Sequence, residues 1–494
     1  MRLRLGKRVA IGAAMTIVLG AIAVAAITAA GIAGWEYSNS NAFCANVCHS
    51  VHPEEPKAHA ASLHARVNCV ECHMGRLSTL QLMAIKPTHV NELWGMIVGY
   101  ERPITTHSLR PAEVACEACH WPQARHSDTV RVRYRYDDDA KSTEGRTTLQ
   151  LHTGGGEVRG RYALEETGGL DTGMNVGKGI HWHIAQELDY VALDAQKQKI
   201  PLIEVHGSDG KVIATYVDAT AGVSRADLDK MPKRRMDCID CHNAAGHPFP
   251  NPADLVDEGL QEGLIDRALL PSIKARSDKI IQAAYGIGGT EDERGAKFDA
   301  IIANAAPKGE QKPEVKTAEQ KFAGEMKRIL LLTSFSGERD GKALTWRTFP
   351  NNVGHKDFPG CFRCHDGKHV NEKGDAIRLQ CTLCHALPQV DKENGVHTVA
   401  STVSPGMSPP DSHLQANWMR DHRASVDDSC TLCHGKISWG KDGGSFCSNP
   451  ACHGRAWPEV NLDATSGSAP SGGATPAPAK GSAPKSAGGA AKKS

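Results

Sequence analysis

Eight cysteine pairs each closed by a histidine, an uncharged run behind a basic N-terminus and an aromatic content of only 5% together predict the fold class. It is a membrane-anchored chain with one N-terminal transmembrane helix, mainly α-helical or irregular domains cored by haem, and a small β-rich insert. Several other classes are excluded. Lys and Arg number 57 against 56 Asp and Glu, so no global basic face points to nucleic acid. The small net charge and the recurring apolar clusters exclude disorder of the whole 494-residue chain. The outlying counts are 16 Cys and 24 His, and so many thiols would be a liability in an ordinary cytosolic enzyme.

The anchor comes first. Arg2, Arg4, Lys7 and Arg8 form a basic stretch, 1–8, ahead of an uncharged run, 9–35. As a helix that run spans roughly 40 Å, more than the ~30 Å of a hydrocarbon core. The flanking cations orient the N-terminus to the cytoplasm of a bacterial inner membrane and place the bulk of the chain in the periplasm. A cleaved signal peptide is the rival, but secretory apolar cores run only ~7–15 residues.

The cysteines explain themselves by spacing. Six pairs have the C-x-x-C-H form: Cys69/Cys72/His73, Cys116/Cys119/His120, Cys238/Cys241/His242, Cys361/Cys364/His365, Cys381/Cys384/His385 and Cys430/Cys433/His434. The first motif, Cys44/Cys48/His49, has a three-residue spacer, and the last, Cys447/Cys452/His453, has four. Two thiols form thioethers with the vinyl groups of one haem, and the adjacent imidazole binds its iron from the proximal side. Disulfides and zinc sites require no His after every second Cys, although one of the widened pairs as a disulfide stays open. Eight covalently bound c-type haems also account for the scarcity of aromatic residues, because porphyrin supplies the large apolar surfaces.

Each iron then needs a sixth ligand, and sixteen His lie outside the motifs. The distal candidates are His64, His89, His126, His183, His247, His355, His369 and His422. His52, His59, His107, His397 and His413 also lie near motifs. His181 and His183 share one face if Gly-Ile-His-Trp-His is extended, so that one of the two reaches a haem. His152 and His206 fall in expected strands and read as surface residues.

The motifs divide the chain. Three crowd into 36–126, a trihaem segment; one stands in 236–345, a helical region; four crowd into 346–460, a tetrahaem segment. Between them, 127–235 reads as a β-rich insert without haem: residues 129–136 alternate, 147–152 resemble a strand, and 202–205 with 211–217 flank a Gly-Ser-Asp-Gly turn. Helical spacing marks 254–263, 265–285, 292–305 and 317–333. The tail, 461–494, is an Ala/Gly/Ser/Pro/Lys extension of disordered composition.

The anchor, the stretch from Ser62 to His73 and the stretch from Leu109 to Pro122 resemble the NapC/NirT family of membrane-anchored quinol dehydrogenases, over roughly residues 1–126. The longer layout, including Gly179-Ile-His-Trp-His183, Met236–Asn243 and Gly360–His369, is similar to larger inner-membrane relatives that feed extracellular electron transfer. This resemblance implies quinol oxidation at the membrane surface near the first haem and electron flow outward. The three-residue spacer and the Ser50-Val-His52 sequence depart from the family pattern at haem 1. A quinol site needs a proton acceptor beside the bilayer. Lys86 and Glu92, with His89 between them, share spacings of three and are the candidate catalytic pair, while His89 doubles as a ligand candidate.

The expected function is thus an octahaem c-type cytochrome. It takes electrons from membrane (mena)quinol and passes them to periplasmic or outer-membrane cytochromes, or to a reductase, in anaerobic or extracellular respiration. Two alternatives remain at this point: a multihaem oxidoreductase for a small nitrogen or sulfur compound, and a periplasmic relay that never meets quinone.

Overall fold

The Ala-, Ile- and Val-rich N-terminal stretch winds into one helix, Arg2–Ser38, in a computed structural model that describes residues 2–49, 53–89, 94, 98, 110–121, 128–154, 179–207, 209–339, 342–379, 383–386, 388–393, 395, 397–398, 417–418 and 459–460. Its portion from Gly12 to Ser38 is long and apolar enough to cross a membrane, and none of it is buried against the rest of the protein. The helix therefore runs past the expected end at residue 35, until Ser38 and Asn39 turn their side chains back onto the Trp35 carbonyl.

The described strands are β1 (Thr129–Tyr136), β2 (Glu144–Leu151), β3 (Leu188–Val191), β4 (Leu202–His206), β5 (Val212–Asp218), β6 (Arg234–Arg235), β7 (Ser334–Arg339), β8 (Lys342–Thr345), β9 (His369–Val370), β10 (Gln389–Lys392) and β11 (His397–Thr398). They form two main sheets, ordered β1-β2-β10-β11 and β6-β3-β4-β5-β9, and a β7-β8 hairpin. β1 and β2 pair antiparallel from Thr129↔Leu151 to Tyr136↔Glu144. The 127–235 segment is not closed on itself. An open edge would present unpaired backbone groups; β10 covers that edge on β2, and β9 covers it on β5.

Helices carry the largest apolar core. Pro252–Gln261, Ile273–Ala284, Glu291–Ala305 and Pro313–Thr333 bring Val256, Ile280, Phe298, Phe322, Met326 and Ile329 together, with Tyr136 of β1 joining from the sheet. Local chemistry fixes their starts. Asn251 accepts from the Ala253 amide ahead of Pro252, and Thr290 and Glu293 form a reciprocal capping box. The spacing over 265–285 suggests one long helix, but the helix begins only at Ile273. Pro271 cannot continue a helix ahead of it, Ser272 sits at φ 55°, and Asp266 ties down the amides of Ala268 and Leu269.

Residues 236–250 are the strip on which parts of the segment 36–126 dock. Asp237 accepts from the Ala112 amide at 2.8 Å, His247 reaches the Glu55 carbonyl at 2.9 Å, and His64 reaches the Ala245 carbonyl at 3.0 Å.

Candidate metal centres

The cysteine motifs fold as single turns. Cys69–His73 and Cys238–Cys241 are helical, Gly360–Arg363 is a 3₁₀ turn, and Cys44–Cys48 is a wider π turn, which accommodates its extra spacer residue. A three-residue step on such a turn puts both thiols on one face. The ten described cysteines with placed side chains are all free thiols. Among the described residues no three His, Cys, Asp or Glu side chains converge as a metal-ion cluster, so a zinc-type reading gains nothing there. Gly360 permits the motif at Cys361: at φ 51° its missing Cβ would lie on the Gly354 carbonyl, which accepts from the Cys361 amide at 3.1 Å.

Cys119 is placed differently from the other motif cysteines. It is exposed, whereas the other nine placed cysteines are half-buried. The cause is local. The third motif follows the short helix Ala112–Ala115 into a surface turn, and Ala118, His120 and Trp121 beside it are exposed as well. The Cys119 Sγ accepts there from Arg76 Nη1 at 3.2 Å. Its partner Cys116 is half-buried, like the other placed cysteines.

Five motif histidines each face a second histidine brought from elsewhere in the chain. Ring centres lie 6.2 Å apart for His73 and His247, 5.8 Å for His120 and His64, and 6.4 Å for His242 and His181. They lie 5.9 Å apart for His365 and His183 and 6.3 Å for His385 and His355. Two metal–imidazole bonds of about 2 Å, with each nitrogen about 1.1 Å from its ring centre, place the rings of a six-coordinate iron about 6 Å apart. The Nε2 atoms of His64 and His120 stand 3.5 Å apart, close to the span of two such bonds.

Hydrogen bonds fix which nitrogen is offered. Nδ1 of His247, His64, His181, His183, His365 and His385 each meets a backbone carbonyl, from Glu55, Ala245, Thr153, Ile180, Arg378 and Ala386 respectively. That contact orients the ring and leaves Nε2 for a metal. Desolvation pushes the pKa of His183 and His247 down, and that of His365 down to about 4, which keeps these imidazoles neutral and their lone pairs available. Free thiols in C-x-x-C-H turns with a second imidazole opposite each His are what a covalently held, six-coordinate haem requires.

Other expected residues are placed differently. His369 is buried on β9; its Nδ1 meets Asp366 at 2.8 Å and its Nε2 meets the Ile200 carbonyl at 2.5 Å. Both nitrogens are thus taken up by protein, and neither points at a motif. Burial works against its charge, but the Asp366 hydrogen bond and carboxylate field hold its pKa above the ordinary value. His49 lies 3.8 Å from Glu55. The His59 ring lies 6.1 Å from that of His247, tilted by 49°, beside the His73 pair. Lys86 donates to the Ser38 carbonyl at 2.9 Å, to Ser38 Oγ at 2.6 Å and to Asn39 Oδ1 at 2.9 Å, and it lies over Trp35. It is a cation closing the carbonyl end of the anchor helix. Expected residues outside the described ones are Glu92, His126, Cys381, His422, Cys430, Cys433, His434, Cys447, Cys452 and His453; the side chains of Cys48 and His89 are outside them too.

Two charged residues inside the motif spacers escape a reading based on ligands alone. Asp240 is buried, accepting from Tyr190 at 2.7 Å and Lys197 at 3.2 Å. Arg363 donates to the Asp240 carbonyl at 2.7 Å and to the Lys197 carbonyl at 2.9 Å. The signal was a charged residue at a spacer position that needs none for haem attachment.

Comparison with known proteins adds lineage. Residues 7–107 match the NapC/NirT cytochrome c family, N-terminal region. The chain is 34% identical over 415 residues to the cytochrome c-type protein ImcH of Geobacter sulfurreducens, covering 83% of this chain and 77% of that protein. No solved structure matches the chain.

Proposed function

The chain belongs to the NapC/NirT cytochrome c family as a membrane-anchored multihaem cytochrome of electron transfer, and from that premise we propose that it is an octahaem quinol dehydrogenase. It oxidises (mena)quinol at the outer face of the inner membrane and relays the electrons to periplasmic or outer-membrane cytochromes, or to a reductase. The observation that carries this reading is the series of motif histidines facing second histidines at 5.8–6.4 Å. Irons capped on both sides shuttle single electrons and leave no open position for a substrate.

Six motifs have the standard spacing, and the π turn at Cys44 and the four-residue spacer of the Cys447/Cys452 motif bring the haem count to eight. Cys116 and Cys119 hold the third haem, with His120 on its iron. His247, His64 and His355 are the distal ligands of the second, third and sixth motifs. The N-terminus is cytoplasmic, because the four cations lie before the anchor. Each quinol releases two electrons and two protons as it becomes quinone. The protons leave to the periplasmic side, through Glu92 or water beside it. Lys86 holds the segment bearing that site against the end of the anchor.

Anaerobic addition of a reduced menaquinol analogue to the detergent-purified full-length protein tests this. Rapid partial reduction of the haem absorption bands, slowed by a quinone-site inhibitor, is expected. Reduction of all haems by dithionite but none by quinol would overturn the quinol reading and favour a relay.

A further inference from the structure

We infer that the Gly179–His183 turn is a two-iron clamp, with His181 the axial ligand of the fourth motif's iron and His183 that of the fifth. The inference rests on the haem-ligand reading above and extends it to a pair of sites held by one turn. In a strand, residues two apart share a face and would compete for one iron. Here His181 caps the short helix Trp182–Ala185, and on a helical turn positions two apart diverge by about 200°. They therefore face opposite ways: His181 toward His242 at 6.4 Å, His183 toward His365 at 5.9 Å. Two residues span at most about 7 Å of chain, so irons on these two imidazoles are neighbours.

The turn is fastened on both sides. Gly179 has φ 141°, and its missing Cβ would strike the Gly154 backbone and the His152 carbonyl, so the backbones touch where a side chain cannot enter. The His181 amide donates to the Gly154 carbonyl at 3.1 Å, and the His152 amide to Cys384 of the sixth motif at 2.9 Å. On the proximal side, Arg363 of the fifth motif donates to the Asp240 carbonyl of the fourth. The two attachment loops are thus bonded to each other, and the turn that carries both distal ligands is bonded to the end of β2.

The ring geometry gives each iron its own signature. The His181 and His242 planes differ by 21°, the His183 and His365 planes by 82°. Near-parallel rings load the same iron d orbital and split the pair, giving an ordinary rhombic low-spin EPR spectrum. Near-perpendicular rings leave the two orbitals close in energy and give a single, strongly anisotropic low-field feature.

Low-temperature EPR of the oxidised full-length holoprotein, set beside peptide mass at Cys238/Cys241 and Cys361/Cys364, decides it. His181→Ala is expected to remove one haem's worth of rhombic signal, His183→Ala one haem's worth of anisotropic signal, each replaced by one high-spin iron with both thioether haems retained. Should an alanine variant lose haem, His181→Met and His183→Met supply a ligand, and each is expected to raise the potential of one haem, a different one in each variant. Both substitutions changing the same signal or potential, or neither changing any, would overturn the clamp. Wild-type peptides without haem at these cysteines would instead overturn the haem reading beneath it.

Discussion

Lys86 and Glu92 look alike in the sequence, two charged groups at helical spacing beside the anchor, but Lys86 has a task that spacing does not reveal. Its three donors go to Ser38 and Asn39 at the carbonyl end of the anchor helix. A cation there, with charge-assisted hydrogen bonds, contributes on the order of 1–2 kcal/mol. Lys86→Met is expected to weaken the docking of residues 79–88 by about that amount, read as faster hydrogen exchange there, with Lys86→Arg restoring part of it. Unchanged exchange with abolished quinol reduction would show instead that Lys86 acts on the quinol itself. His369 teaches the same lesson from the other side. It stands four residues after a motif histidine, and nothing in the sequence says that Asp366 and the Ile200 carbonyl will take both its nitrogens. The exposure of Cys119 beside Arg76 is equally invisible in its motif, which reads like the other five of its spacing. Which groups flank a side chain in space is a long-range property, whereas the adjacent Cys and His of a motif are local and readable directly.

At the scale of elements, periodicity located β1, β5 and three of the four helices to within a few residues, and failed where a backbone detail overrode it. Gly-Ile-His-Trp-His would put both imidazoles on one face if extended, yet it folds as a turn, with Gly179 at a positive φ against the end of β2. The spacing over 265–285 is helical, yet Pro271 and the left-handed Ser272 cut it. Pairing between distant strands is not written in either partner. Glu393, at the end of β10, joins β2 to the helical core by accepting from Arg267 at 2.6 and 2.8 Å and from the Glu144 amide at 3.1 Å. The Arg267 hydrogen bonds, then the Glu144 amide, lower the Glu393 pKa from 4.5 to about 2. A carboxyl with a depressed folded-state pKa contributes fully above its ordinary value and loses that contribution as pH falls through the folded one. Acidification from about pH 5 toward pH 2 is therefore expected to loosen the β2–β10 edge, seen as rising hydrogen exchange at Glu144–Leu151. In Glu393→Gln that edge is expected to be loose already at pH 5 and to change less on acidification; an equal acid response in both proteins would count against this tie.

Across the whole molecule, facing histidines bring distant segments together. His73 with His247 and His365 with His183 tie segments more than a hundred residues apart. The described apolar core is concentrated in the four helices, while the segments carrying the motifs have short elements and few buried side chains of their own. Haem held by those motifs would supply apolar surface there, and the chain without haem is expected to be less stable. The number of candidate attachment sites was legible from sixteen cysteines with none left over. The pairing of irons with distal ligands was not, because it depends on how the sheets and the 236–250 strip bring distant loops together. Intact mass of the purified full-length chain tests the central claim most directly. Eight haem increments above the polypeptide are expected, with the cysteines at 44, 48, 447 and 452 all consumed. Six increments, leaving the widened motifs empty, would contradict the octahaem account.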